Sequence, residues 1–237
     1  MKKTIVLILL LIPILCFAGA LQEKQRAVIV KKNVAPTSCS GNCSDNFTGT
    51  QTALATHDAK WGSFGGKDDI AQGEINGSGL ARVVENYADV WARYTDSTAD
   101  TSQMTIKAGG DTQYRAFKVC VRTSASIEGY CLTCAANTAD NNSTWDQSVC
   151  DIKKNGTTLC SGFAEKSISY ASSDVVVKLV ASGTETVTLK AYVDGSEWST
   201  SPACTDASSP ITSGNPGIFW QSGTSYTTNT VDDWQDH

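Results

Sequence analysis

Histidine is nearly missing from this chain of 237 residues: only His57 and the last residue, His237, are present. Most acid–base and nucleophilic schemes are built on that side chain. His57 lies in Thr56-His57-Asp58 with no nucleophile-elbow sequence anywhere in the chain, so a Ser/His/Asp triad is not expected. The same shortage argues against a histidine-ligated zinc. Long apolar runs are scarce too. Past residue 20 no segment is long enough to cross a membrane as a helix, and none of useful length has helical periodicity. The net charge is −5, with no basic stripe of the kind nucleic acid requires.

What the chain does have begins with Met1–Ala20. Two lysines precede an apolar run from Ile5 to Phe17, and Ala18-Gly19-Ala20 follows, the pattern of a cleaved secretory signal peptide. Cys16 follows Ile14-Leu15, which are too large for a lipoprotein cleavage site. Removal of the leader takes the charge to −7 and leaves 217 residues, enough for one large domain. A soluble protein outside the cell is the expectation. Leu21–Ser44 reads as an arm before that domain, with Ala27-Val28-Ile29-Val30 as one short strand. Two uses of this arm are open: a tether packed on its own domain, or an edge strand given to a neighbouring subunit.

Eight cysteines remain in the mature chain: Cys39, Cys43, Cys120, Cys131, Cys134, Cys150, Cys160 and Cys204. In an exported protein they read as up to four disulfides of open connectivity. Cys120 and Cys131 would face each other across a hairpin turning at Ser126–Gly129. Cys150 and Cys160 flank Asn155-Gly156, a strong hairpin signal, and are expected to pair. Cys39 with Cys43, and Cys134 with Cys204, complete that scheme. Cys131-Leu132-Thr133-Cys134 has redox-motif spacing but lies in strand context, which favours structural disulfides.

From Asp45 onward the pattern is almost wholly β. Leu80–Val84, Val90–Thr95, Thr101–Lys107, Tyr114–Val121 and Tyr130–Thr133 are short extended runs separated by Gly, Asn, Asp and Ser. Asp174–Val180 and Thr186–Val193 continue it, and Asp194-Gly195 is suited to a tight turn because both residues tolerate positive φ. An all-β, two-sheet antiparallel sandwich is predicted, with no internal repeat.

Four motifs occur in a telling order: Asp45-Asn46-Phe47 with Lys60-Trp61 after it, then Val193-Asp194-Gly195, Pro216-Gly217-Ile218 and Val231-Asp232-Asp233-Trp234. Together they resemble the concanavalin A-like lectin/glucanase superfamily, of the laminin-G-like jelly-roll kind, over roughly Asp45–Gln235. With the leader at 1–20 and the arm at 21–44 read from their composition, the resemblance assigns the remainder, 45–237, to the sandwich domain. It implies that Trp61 and Trp234 pack in the core. It also implies that the first and last strands are neighbours, which would bring Asp45 and Asp232 together as a candidate structural calcium site. The Glu-x-Asp-x-Glu strand of the superfamily's retaining glucanases is absent, as is the Gln-x-His strand typical of jelly-roll lyases.

Strand alternation places Trp91 and Arg93 on one face. Tyr114, Lys118 and Arg122 share the polar face of the next long run, opposite Phe117, Val119 and Val121. Trp91, Arg93, Tyr114, Lys118 and Arg122 are therefore the candidate glycan-binding face. The expected function is non-catalytic carbohydrate binding or adhesion outside the cell, with a glycan as partner. The alternatives are a subunit of a filament or surface layer that self-associates through Leu21–Ser44, and a glycan-active hydrolase or lyase. Asn46-Phe47-Thr48 and Asn155-Gly156-Thr157 are glycosylation sequons, relevant only in a glycosylating host.

Overall fold

The computed structural model describes residues 43–67, 69–85, 88–108, 115–136, 144–145, 149–168, 173–221 and 230–237. The leader, the arm up to residue 42, Cys39 and Tyr114 lie outside the described residues. In chain order the strands are β1 (Ser44–Asp45), β2 (Thr52–Ala53), β3 (Trp61–Gly62), β4 (Gly73–Ile75), β5 (Ala81–Val83) and β6 (Asp89–Tyr94). Next come β7 (Thr101–Ile106), β8 (Arg115–Thr123), β9 (Tyr130–Ala136), β10 (Thr144–Trp145), β11 (Cys150–Lys154), β12 (Thr157–Cys160) and β13 (Lys166–Ser167). The last are β14 (Val175–Ser182), β15 (Val187–Val193), β16 (Ser196–Trp198), β17 (Thr205–Asp206), β18 (Asn215–Gln221) and β19 (Thr230–Gln235). Helix is confined, among the described residues, to one turn at Leu54–His57 and a 3-10 turn at Asp69–Gln72. None of it is long and apolar enough to cross a membrane.

Two antiparallel sheets form the sandwich. One has the order β16-β15-β14-β7-β19-β5-β4-β2, with β1 on β19 and β17 on β15. The other runs β12-β11-β9-β8-β18-β6-β3, and β10 pairs with β13 apart from both. The predicted architecture is thus the one observed. The core follows from the two-residue period of strands. Val175, Val177, Leu179 and Ala181 of β14, and Val187, Leu189, Ala191 and Val193 of β15, are buried while their neighbours are not. Phe117, Val119 and Val121 of β8, Tyr130 and Leu132 of β9, and Ile218 and Trp220 of β18 belong to the same core. Each large apolar side chain so buried contributes about 1.5–3 kcal/mol.

The hairpin signals resolve as their chemistry requires. Asn155 and Gly156 sit at φ 50° and 80° between β11 and β12, and Asp194 and Gly195 at 51° and 76° between β15 and β16. Both residues of each turn are left-handed, which matches the twist of the flanking strands.

The disulfides correct part of the expected scheme. Cys120–Cys131 forms as predicted, with the two residues directly opposite in the β8–β9 register and Cα atoms 4.1 Å apart. Cys150 does not pair with Cys160, nor Cys134 with Cys204. Across the Asn155-Gly156 hairpin the residue opposite Cys160 is Ile152, two positions from Cys150. On its other side β11 lies against β9, and there Cys150 faces Cys134. Cys134–Cys150 therefore bonds, with Cα atoms 4.2 Å apart, and Cys160 reaches Cys204 in the connection between β16 and β17. Cys43 is disulfide-bonded as well.

Candidate functional site

The seven-stranded sheet has a core face and an outer face, and its strand register fixes what lies on each. Directly opposed residues of antiparallel strands share a face. Trp91 faces Phe219, Phe219 faces Lys118, Lys118 faces Thr133 and Thr133 faces Asp151. A second row runs from Arg93 through Gly217, Cys120 and Cys131 to Lys153. Asp89 and Gln221 oppose each other beyond the first row, and the Gln221 amide donates to Asp89 Oδ1 at 2.7 Å. Trp91, Arg93 and Lys118 are thus brought together, as alternation predicted.

The floor of this face is aromatic. Phe64, Trp91, Phe219 and the Cys120–Cys131 disulfide form a small apolar cluster separate from the main core. Phe64 meets Trp91 edge-on at 5.2 Å, and the Phe219 ring lies 4.5 Å from it. Over that floor the Lys118 ammonium stands 4.0 Å from the Trp91 ring centre and 5.1 Å from Phe219, in cation–π range. Lys67 approaches the same indole at 5.8 Å. Glu128 completes the arrangement with an ion pair to Lys118 at 2.5 Å. Burial depresses the Lys118 ammonium below the usual lysine range, outweighing the opposite pull of Glu128. Trp91 itself is only 7% exposed.

Two loops hold the rim. Gly65 and Gly66 donate their N–H groups to the carbonyls of Ser124 and Ala125, tying the loop with Phe64 and Lys67 to the β8–β9 turn that carries Glu128. Gly65 sits at φ 68°, and the Glu128 backbone and Cβ close to within 3.5–3.8 Å of where a side chain would begin. The turn is pinned on its far side by Gly129 N–H donating to Asn155 Oδ1. Arg93 donates to the Ser63 carbonyl and to Asn215 Oδ1, both at 2.8 Å. Thr133 Oγ1 is buried without a hydrogen-bond partner among the described residues.

Arg122 does not join this face. Residues Asn215 and Gly217 of β18 pair with Thr123 and Cys120, so β8 carries an extra residue there, and Arg122 takes φ 57°. The bulge breaks the alternation and turns the guanidinium inward, where it is 1% exposed. It makes a two-point pair with Asp100 and donates to the carbonyls of Ile211 and Gly183. Its place is structural. Phe64, Lys67, Phe219 and Glu128 were not identified from sequence. Phe219 was readable, since Ile218 and Trp220 on either side are core positions. The others sit on loops whose approach no local pattern encodes.

The first and last strands do meet, with Asp45 opposite Trp234. The two candidate calcium carboxylates are nonetheless engaged separately. Asp45 Oδ1 accepts from Phe47 N–H and lies 3.1 Å from His57 Nε2, while Oδ2 accepts from Trp61 Nε1. Asp232 Oδ1 accepts from Asp233 N–H and Oδ2 lies 3.7 Å from Lys107. Among the described residues no three His, Cys, Asp or Glu side chains converge on one point. With their oxygens turned to N–H donors and a lysine, this pair does not fit a shared cation.

No family model and no curated protein matches the chain. Among solved structures it is similar to a Bacillus subtilis protein of unknown function with a galectin-like fold: 12% identity, 81% of this chain and 92% of that one covered, TM-score 0.48. It is similar also to carbohydrate-binding module CBM66 from Bacillus subtilis, at 16% identity, 73% and 91% coverage and TM-score 0.41. A β-agarase A in complex with oligoagarose gives 10% identity, 86% and 94% coverage and TM-score 0.48. At these identities and TM-scores the likeness says nothing of function. The chain is built as a two-sheet antiparallel β-sandwich.

Proposed function

We propose that the protein is an exported, non-catalytic saccharide-binding module whose site is the outer face of the seven-stranded sheet around Lys118. One observation carries this reading. Partly exposed hydrogen-bonding side chains (Asp89, Gln221, Lys118, Asp151 and Lys153) are set in register across and beside an aromatic cluster. A sugar ring presents apolar C–H faces rimmed by hydroxyls, and such a mixture of apolar floor and few polar groups is what it requires. The leader-like Met1–Ala20 and three disulfides support an extracellular location.

A non-catalytic role is supported by how the acids of this face are held. Glu128 is paired with Lys118, Asp89 accepts from Gln221, and Asp151 accepts from Thr158 at 2.6 Å. Glycoside hydrolysis instead needs one carboxyl free to protonate and one to attack or activate water. The test is affinity electrophoresis and calorimetry of the oxidised protein against a panel of polysaccharides, beside Trp91→Ala and Lys118→Ala. Binding lost in both variants, with unfolding still cooperative, is expected. Binding by neither the parent nor any variant sinks the reading. Release of reducing ends or unsaturated sugars would replace it with an enzymatic one.

A further inference from the structure

Beyond the class of ligand, the charges on this face select its sign. Resting on the saccharide-binding reading, we propose that the ligand is an anionic saccharide, whose carboxylate or sulfate replaces Glu128 as the partner of Lys118. The whole chain carries a net charge of −5. Yet the described residues of this face comprise four cations (Lys67, Arg93, Lys118 and Lys153) against three carboxylates (Asp89, Glu128 and Asp151). Two of those cations have no carboxylate partner among the described residues. Arg93 is held by a carbonyl and an amide oxygen, both neutral, so its orientation is fixed while its charge is uncompensated. Lys67 stands over the Trp91 ring and, among the described residues, in no ion pair.

Lys118 is the centre of the set. Its ammonium is largely desolvated between two rings, and Lys153 adds repulsion from the neighbouring row. A cation so placed requires an anion close by. Glu128 supplies one, but from a turn at the rim rather than from the sheet. A sugar carboxylate or sulfate over Trp91 would meet Lys118 and Lys67 together, with Arg93 one row away. The exchange forms no covalent bond and moves no proton: one anion leaves an ammonium and another takes its place. Excess positive charge on an otherwise acidic molecule also favours polyanions at this face.

The experiment uses the oxidised mature chain and four ligands: polygalacturonate, the same polymer methyl-esterified, a sulfated galactan, and neutral laminarin. Binding to polygalacturonate, to the sulfated galactan or to both is expected, with esterification abolishing the first. The two anionic arms distinguish carboxylate from sulfate. Lys118→Met keeps the stem packed on Trp91 and removes the charge, and is expected to weaken anionic binding about tenfold to hundredfold, the worth of one charge-assisted hydrogen bond. Glu128→Gln is expected to strengthen it about tenfold by removing the internal competitor. Affinity falls as salt rises if the contact is ionic. Equal binding to the esterified polymer or to laminarin, unmoved by Lys118→Met, overturns the anionic assignment and leaves the saccharide reading standing. Binding to none of the four polymers, or to any further neutral polysaccharide, overturns both.

Discussion

Strand β6 carries aromatic residues on both of its faces, and the two clusters they enter have opposite electrostatics. On the inner side Tyr94 packs with Trp61 and Trp234, at centroid distances of 5.3 and 4.8 Å, and Phe47 lies against Trp61. Every polar edge of that trio finds an acceptor. Trp61 Nε1 donates to Asp45, Tyr94 Oη to Asp58 at 2.9 Å, and Trp234 Nε1 to Ser102 Oγ. On the outer side Trp91 and Phe219 present their faces to ammonium groups instead. An aromatic edge bonded to a buried carboxylate is a fixed, fully used contact. A ring face under a cation keeps the cation's other N–H groups for a further partner. The inner cluster is therefore structural, and the outer one keeps the groups that the proposed site would use.

The sharpest way to break this comparison is to truncate each cluster. Trp234→Ala is expected to cost about 3–5 kcal/mol, because the side chain is fully buried and the strand cannot collapse into the space. A denaturant midpoint little changed from the parent would contradict the structural role of the inner cluster. A smaller loss, about 1–3 kcal/mol, is expected for Tyr94→Phe, which strips the donor from buried Asp58 and leaves its carboxylate short of a partner. The comparison predicts no change in saccharide affinity for that variant, measured by calorimetry.

The inner cluster also predicts a pH dependence of about 1 kcal/mol or less, as for partly exposed pairs. Asp45 holds the His57 imidazole above its ordinary pKa. Burial alone would raise the Asp45 carboxyl, but hydrogen bonds from His57 and Trp61 outweigh it and hold the group below its usual value. A raised histidine stabilises fully below about 6.5, and that contribution is lost as pH climbs through the folded-state pKa. A lowered aspartate stabilises above about 3.9 and is lost as pH falls through its own folded-state value. The pair thus contributes most between about pH 4 and 6.5. Melting temperature followed from pH 4 to 8 is expected to fall at the upper end, and His57→Gln is expected to flatten that slope. The smallest effect belongs to the outer cluster. Replacing both partners together, Lys118→Met with Glu128→Leu, is expected to shift stability by about 1 kcal/mol or less, since a hydrophobic replacement of a whole buried ion pair is nearly neutral. A loss comparable to that of Trp234→Ala would mean that Lys118 is structural and that the two clusters do not differ in kind.

Much of this was legible in the chain. The alternation in Val90–Tyr94 and in Phe117–Val121 was enough to put Trp91, Arg93 and Lys118 on one polar face, because a strand's two-residue period is a local property. Asn155-Gly156 and Asp194-Gly195 declared their turns for the same reason: positive φ is decided by the residue itself. What failed to be legible required knowing neighbours. Alternation put Arg122 beside Lys118, and an extra residue against β18 removed it. Spacing paired Cys150 with Cys160, and the adjacency of β9 gave Cys150 to Cys134.

The division between the two sources of information is physical. By itself the sequence determined the strands, their turns, the polar and apolar faces of each and hence the two-sheet class, since these depend on contacts within a few residues. Only the tertiary structure decided which strands lie side by side, which cysteines meet, and which loop side chains close over Trp91. Those outcomes depend on register between segments up to a hundred residues or more apart, such as Arg93 and Asn215. Register is set by the whole core at once rather than by any stretch of chain.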